Sequence, residues 1–157
     1  NILTGQSSEV NGYASAGTYT PGTINLVEKF PFAVDTTNAV DSGIDLTQGR
    51  NNVAGQSSKT FGYTSGGYSS PTVLRVNTVD KFPFATDSNA TDVGDLTQIR
   101  NGPCGQSSTV SGYSSGGYTP PAAIVDTIDK FPFASDTDAT DVGNLVQARA
   151  VSAGQNA

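Results

Sequence analysis

The tetrapeptide Gly5-Gln6-Ser7-Ser8 returns as Gly55-Gln56-Ser57-Ser58 and again as Gly105-Gln106-Ser107-Ser108, a spacing of 50 residues. Each copy is followed by Gly-Tyr, by Lys-Phe-Pro-Phe-Ala and by an arginine. Repetition at this period marks propellers and other arrays in which one unit cannot bury its own apolar faces and must stack on a neighbour. It overrides the single-domain default that 157 residues would suggest. The copies divide as residues 1–54, 55–104 and 105–153, and residues 154–157 open a fourth, because Gly154-Gln155 aligns with Gly5-Gln6. No signal peptide precedes Asn1, and the missing initiator methionine is expected of a processed or excised segment.

Within the second copy, residues 52–58 and 61–67 read as a hairpin ending at Gly66-Gly67, where positive φ comes without steric cost. Residues 68–74 form a loop whose counterparts, 18–23 and 118–123, differ in length and composition. Residues 76–84, like 24–32 and 125–133, are β-branched and aromatic and read as a third strand. Val79 falls on one face of its pleat and Phe82 and Phe84 on the other, as in a strand held between two layers. Burying two Phe side chains per copy is worth about 1.5–3 kcal/mol each. Pro83 cannot donate to a ladder, so it belongs at a strand end or bulge. Residues 87–92 read as a polar turn, and 94–100 as a fourth strand, with Leu96, Gln98 and Arg100 alternating against Thr97 and Ile99. Four-stranded sheets repeated about an axis make a β-propeller.

The order of features resembles the Kelch repeat. Tyr63, Gly66-Gly67, Val79-Asp80-Lys81-Phe82 and Arg100 carry the likeness. It recurs at Tyr113, Gly116-Gly117, Ile128-Asp129-Lys130-Phe131 and Arg149, and at Tyr13, Gly17, Val27-Glu28-Lys29-Phe30 and Arg50, with Ala16 in place of the first glycine. The tryptophan common between Kelch strands three and four is missing from every copy. In style the near-identical copies are similar to Kelch-like arrays of marine phage and bacterial surface proteins. The resemblance implies an all-β, Kelch-like β-propeller with three four-stranded blades per chain. It also implies that the Gly-Gln-Ser-Ser strand is innermost and the arginine-bearing strand outermost. Gln6, Gln56 and Gln106 on that strand would then line the channel, although buried structural hydrogen bonds are the preferred reading of their amides.

Propellers have four to eight blades, so three cannot close, and two blade faces carrying Phe and Val would stay bare. Two chains about a two-fold axis would close a six-bladed homodimer, with the partner's first strand displacing the tail at residues 154–157. The other reading is a chain cut from a longer array.

Chemistry is constrained by what is missing. Charged residues are 14% of the chain and the net charge is −6, which leaves no basic surface for nucleic acid or anionic lipid. No apolar run is long enough for a membrane span, so no membrane insertion is expected. Histidine and tryptophan are absent and Cys104 is the lone cysteine, read as an inert filler. Intrachain disulfides, cysteine zinc sites, a Ser-His-Asp triad and a galactose-oxidase-type copper site therefore cannot be assembled. The acidic residues Asp35, Asp87, Asp136 and Asp41, Asp92, Asp141 recur by copy, which argues for turns. Residues 136–143 miss calcium-loop spacing, since Thr140 occupies the fifth position. No catalytic residue, metal ligand or cofactor is assigned.

Arg50, Arg100 and Arg149 are expected to brace loops through backbone carbonyls. Loop tyrosines Tyr19, Tyr68 and Tyr118 offer flat apolar faces with a hydroxyl, suited to sugars and protein surfaces, and ordinary loop packing is the alternative. Kelch topology would place Asn51, Asn52 and Asn101 on the same face, making these six the candidate ligand-binding set. The function expected is a non-enzymatic structural or interaction module for adhesion or presentation, extracellular or on a virion surface. Its partners would be a second copy of itself and a glycan or another surface protein. A glycan-binding lectin with one site per blade is the alternative, and a carboxylate-dependent hydrolase stands third.

Overall fold

Each copy of the repeat forms one antiparallel four-stranded sheet in a computed structural model that describes residues 3–34, 37–70 and 74–151. Sheet 1 comprises Thr4–Ser7, Asn11–Ser15, Leu26–Pro31 and Val40–Asp45; sheet 2 comprises Ala54–Ser57, Phe61–Ser65, Thr78–Pro83 and Thr91–Asp95. Sheet 3 comprises Cys104–Ser107, Ser111–Ser115, Thr127–Pro132 and Thr140–Asn144. Strands neighbour one another in chain order, and no helix occurs among the described residues. The chain is all-β. Asp35 and the tail pair Gly154-Gln155 lie outside the described residues.

The Gly-Tyr dipeptide is explained by register. Gly62 pairs with Phe82 across the second and third strands, and the Phe82 ring lies over it, where any Cβ would collide. Gly12 and Phe30, and Gly112 and Phe131, repeat the arrangement. The glycine thus makes room for a ring that a neighbouring sheet can cover. After Ser65 the chain leaves the sheet through Gly66 and Gly67, at φ 64° and 117°, a backbone only glycine adopts freely. Ala16 is held at φ 64° in the first copy, so that connection carries strain absent from the other two. Pro83 is the last residue of its strand, where a missing N–H costs no ladder bond.

The fourth strand differs from the sequence reading. It runs Thr91–Asp95, earlier than residues 94–100, and includes part of the expected turn. Asp92 Oδ1 accepts the Gly94 N–H at 3.2 Å, with Gly94 at φ 147°, and the pairing with the third strand is irregular there. Asp41 with Gly43 and Asp141 with Gly143 do the same, so these acids do hold turns, within the strand itself. Beyond Asp95 the chain crosses toward the next sheet, burying Leu96 and Arg100 between the two.

The sheets stack in sequence. Their first strands lie side by side so closely that a Cβ on Gly55 would stand 2.5 Å from the Gly5 carbonyl oxygen. Farther out, the Ala90 N–H reaches Asp45 O at 2.9 Å and the Ala139 N–H reaches Asp95 O at 2.8 Å. Between sheets 1 and 2 lie Tyr13, Val27, Ile44 and Leu46 against Phe82 and Ala90; between sheets 2 and 3, Tyr63, Val79 and Leu96 against Phe131 and Ala139. The core is two seams built from equivalent residues.

Candidate functional site

Every buried charge in these seams has a repeated partner. Arg50 passes from sheet 1 into sheet 2, where its Nη2 lies 2.8 Å from Asp80 Oδ2 with both side chains fully buried. Nη1 donates to Thr78 O and Nη2 to Thr64 O, each at 3.0 Å. The Asp80 carboxylate also accepts the Thr47 N–H at 3.1 Å and the Thr47 hydroxyl at 2.7 Å. One repeat later, Arg100 meets Asp129 at 2.7 Å and donates to Thr127 O and Ser114 O, while Thr97 donates twice to Asp129. In both guanidinium groups Nε has no partner. Burial pulls both arginines below the ordinary guanidinium value, while Asp80 and Asp92 for Arg50, and Asp129 and Asp141 for Arg100, push back. A buried charge is tolerated only when paired and hydrogen-bonded, and both conditions hold twice. The expected bracing by Arg50 and Arg100 through carbonyls is observed, with an aspartate added. Arg149 departs from it: it is exposed, and among the described residues its side chain reaches Gln147 O of its own strand exit, at 3.4 Å.

Gln6 and Gln56 are buried, in the structural role preferred for them over channel lining. Gln6 Nε2 donates to Ser15 Oγ, Tyr63 O and Thr64 Oγ1 within 3.0 Å, and Gln56 Nε2 donates likewise to Ser65 Oγ, Tyr113 O and Ser114 Oγ. Their side chains leave the first strand sideways, toward the next sheet. Gln106, half-buried, donates to Cys104 Sγ and Ser115 Oγ within its own sheet. Cys104 is buried at the start of its strand.

Aromatic packing follows the same step. Tyr13 stacks on Phe84 at 4.8 Å between ring centroids and tilts against Phe82; Tyr63 stacks on Phe133 at 4.8 Å and tilts against Phe131. Burial pushes the Tyr63 phenol up to about 12, the Ser58 hydroxyl opposing and Asp136 adding to the rise. The folded chain therefore holds this proton more tightly than the unfolded chain, whose tyrosine titrates near pH 10, so the stability it lends is whole below about pH 10 and is lost on approach to about 12. In urea titrations, Tyr63→Phe is expected to flatten the decline over that window. Parallel declines in the two proteins would contradict this. Asp87 and Asp136, expected in turns, bridge sheets through Lys29 at 2.6 Å and Lys81 at 2.5 Å, exposed pairs that contribute little.

Antiparallel order puts the second-to-third loops and the sheet-to-sheet connections at one end. Tyr68 pairs with Asn51 in a small ribbon, and Tyr118 bridges to Asn101. Tyr19 is 75% exposed, whereas Tyr68 and Tyr118 are half-buried. Asn51 Nδ2 donates to Thr18 Oγ1 at 2.9 Å, and Asn101 Oδ1 accepts Arg75 Nε at 2.7 Å. Asn52 sits at φ 51° and its carbonyl accepts the Gly102 N–H. At the opposite end an open depression of about 400 Å³ is lined by hydroxyls, including Ser7, Ser8, Ser57, Ser58 and Ser108, with Glu9 and Lys59 at its lip. A ladder underlies it: Ser7 N–H donates to Ser57 Oγ and Ser57 N–H to Ser107 Oγ. Sequence reasoning passed over this ladder, although a serine recurring every 50 residues was its signal.

No family model matches the chain, and no curated protein does either. Among solved structures it is similar to that of YjhT, with a TM-score of 0.77 at 12% identity over 96% of this chain. The overlap takes in 54% of the YjhT chain, so this chain spans about half the length of that structure.

Proposed function

We propose that this chain is a non-enzymatic interaction module, a Kelch-like arc of three blades that two copies close into a six-bladed β-propeller. The observation that carries the proposal is the duplicated seam: Arg50 with Asp80 and Arg100 with Asp129 are buried between sheets, engaged in holding one repeat to the next. The repeats' most chemically capable side chains are thus committed to the scaffold. Likeness to half of the YjhT chain supports an arc that doubles, because two copies together match that length. Loop rims at the two ends are what such a scaffold presents, for adhesion or display outside the cell or on a virion.

A second reading, a glycan-binding lectin, is favoured by one feature, the pairing of Tyr68 with Asn51 and Tyr118 with Asn101 on a single rim. An aromatic face beside a side-chain amide is the usual equipment for a sugar. Glycan-array screening separates the two. The module reading expects no glycan to be retained; retention abolished by Tyr68→Ala and by Tyr118→Ala would replace it with the lectin.

A further inference from the structure

The two outer faces of the stack are halves of the same seam. Arg149, beyond the last strand of sheet 3, is exposed where Arg50 and Arg100 are fully buried, and among the described residues Tyr113 has no phenylalanine pair to stack on. Sheet 1 offers the other half: Glu28 stands exposed at the position of Asp80 and Asp129, Phe30 is 38% exposed where Phe82 and Phe131 are buried, and Phe32 is 51% exposed where Phe84 and Phe133 are half-buried.

Both faces also carry substitutions relative to the internal seams. Thr47 and Thr97, which donate to the buried aspartates, become Val146, fully exposed at the end of sheet 3. On sheet 1 the hydroxyls of Thr78 and Thr64 are replaced by Leu26 and Ala14. Hydroxyls are lost from both sides, so a joint between these faces is more apolar than the internal seams. Glutamate for aspartate keeps the charge that an arginine needs and lengthens its reach by one methylene.

We infer that the sheet 3 face binds the sheet 1 face of a second copy of this chain, Arg149 pairing with the partner's Glu28 and Tyr113 stacking on the partner's Phe30 and Phe32. This rests on the two-chain ring proposed above, and two-fold symmetry forms the joint twice.

The test is charge reversal read by native mass spectrometry and light scattering. Arg149→Glu and Glu28→Arg each place like charges in both joints, and each is expected to weaken self-association by a hundredfold or so. Mixing the two variants rebuilds one reversed pair and one natural pair, so a heterodimer is expected at near wild-type affinity. Both residues are exposed within the chain, so each variant retains its fold, checked by circular dichroism. A wild-type dimer whose single variants associate undiminished, or whose mixture fails to recover, overturns the joint and leaves the ring standing. Wild type that stays a single chain at every concentration overturns the ring itself.

Discussion

Arg100→Ala is expected to destabilise the chain by about 3–5 kcal/mol, the cost of leaving one member of a buried ion pair uncompensated. Asp129 would keep the two donations from Thr97 and lose its countercharge in a site closed to water. Against a total stability of about 5–15 kcal/mol, this removes a large fraction of the margin. The attraction within the pair is not the source of the effect, because its desolvation offsets much of the gain. Replacing both partners, Arg100→Met with Asp129→Leu, is therefore expected to recover most of the loss. Urea unfolding at fixed protein concentration checks both. A loss below about 1 kcal/mol in the single variant, the range of exposed pairs, would show that the seam is solvated.

Phe82→Ala is expected to cost about 3–5 kcal/mol, as for other fully buried aromatic side chains. The Phe82 ring fills the space above Gly62 and meets Tyr13 of the preceding sheet at 5.7 Å between centroids, so its removal opens a cavity that backbone on one side and a ring on the other cannot close. The repeat supplies its own control. Phe30 lies over Gly12 in the same way, yet among the described residues no sheet covers it. Under dilute conditions that separate copies, Phe30→Ala should cost less than half as much, and under conditions that favour association the gap should narrow. Equal losses at every concentration would refute the seam assignment for Phe82.

Strand content was legible where chemistry is local. Gly66-Gly67 announces a chain reversal, Lys81-Phe82-Pro83 announces a strand and its end, and both stand where expected. The fourth strand was misplaced because the alternation of Leu96, Gln98 and Arg100 resembles a pleat. In space it belongs to a connection that dips into the next sheet, while the true strand carries Asp92, Gly94 and Asp95, poor strand formers held by pairing to Thr78–Pro83. Asp80 and Asp129 escaped notice for a different reason. A charge in a strand reads as solvent-facing, and their partners Arg50 and Arg100 lie about thirty residues earlier in another sheet. Only stacking brings them together. The same holds for Gln6 and Gln56: buried hydrogen bonding is the preferred reading of their amides, but the partners lie in the neighbouring sheet and are met only on stacking. The hydroxyl-lined depression has no local signature at all, since it forms from three turns of three copies.

Equivalent sheet faces bind each other twice inside the chain, and the proposed ring repeats that joint twice more between copies. Mass in solution tests it most directly. A dimer, at twice the 16.1 kDa of one chain, dissociating on dilution, is the result expected. A species that remains at 16.1 kDa at every concentration, with Phe30, Phe32 and Arg149 open to solvent, would contradict it.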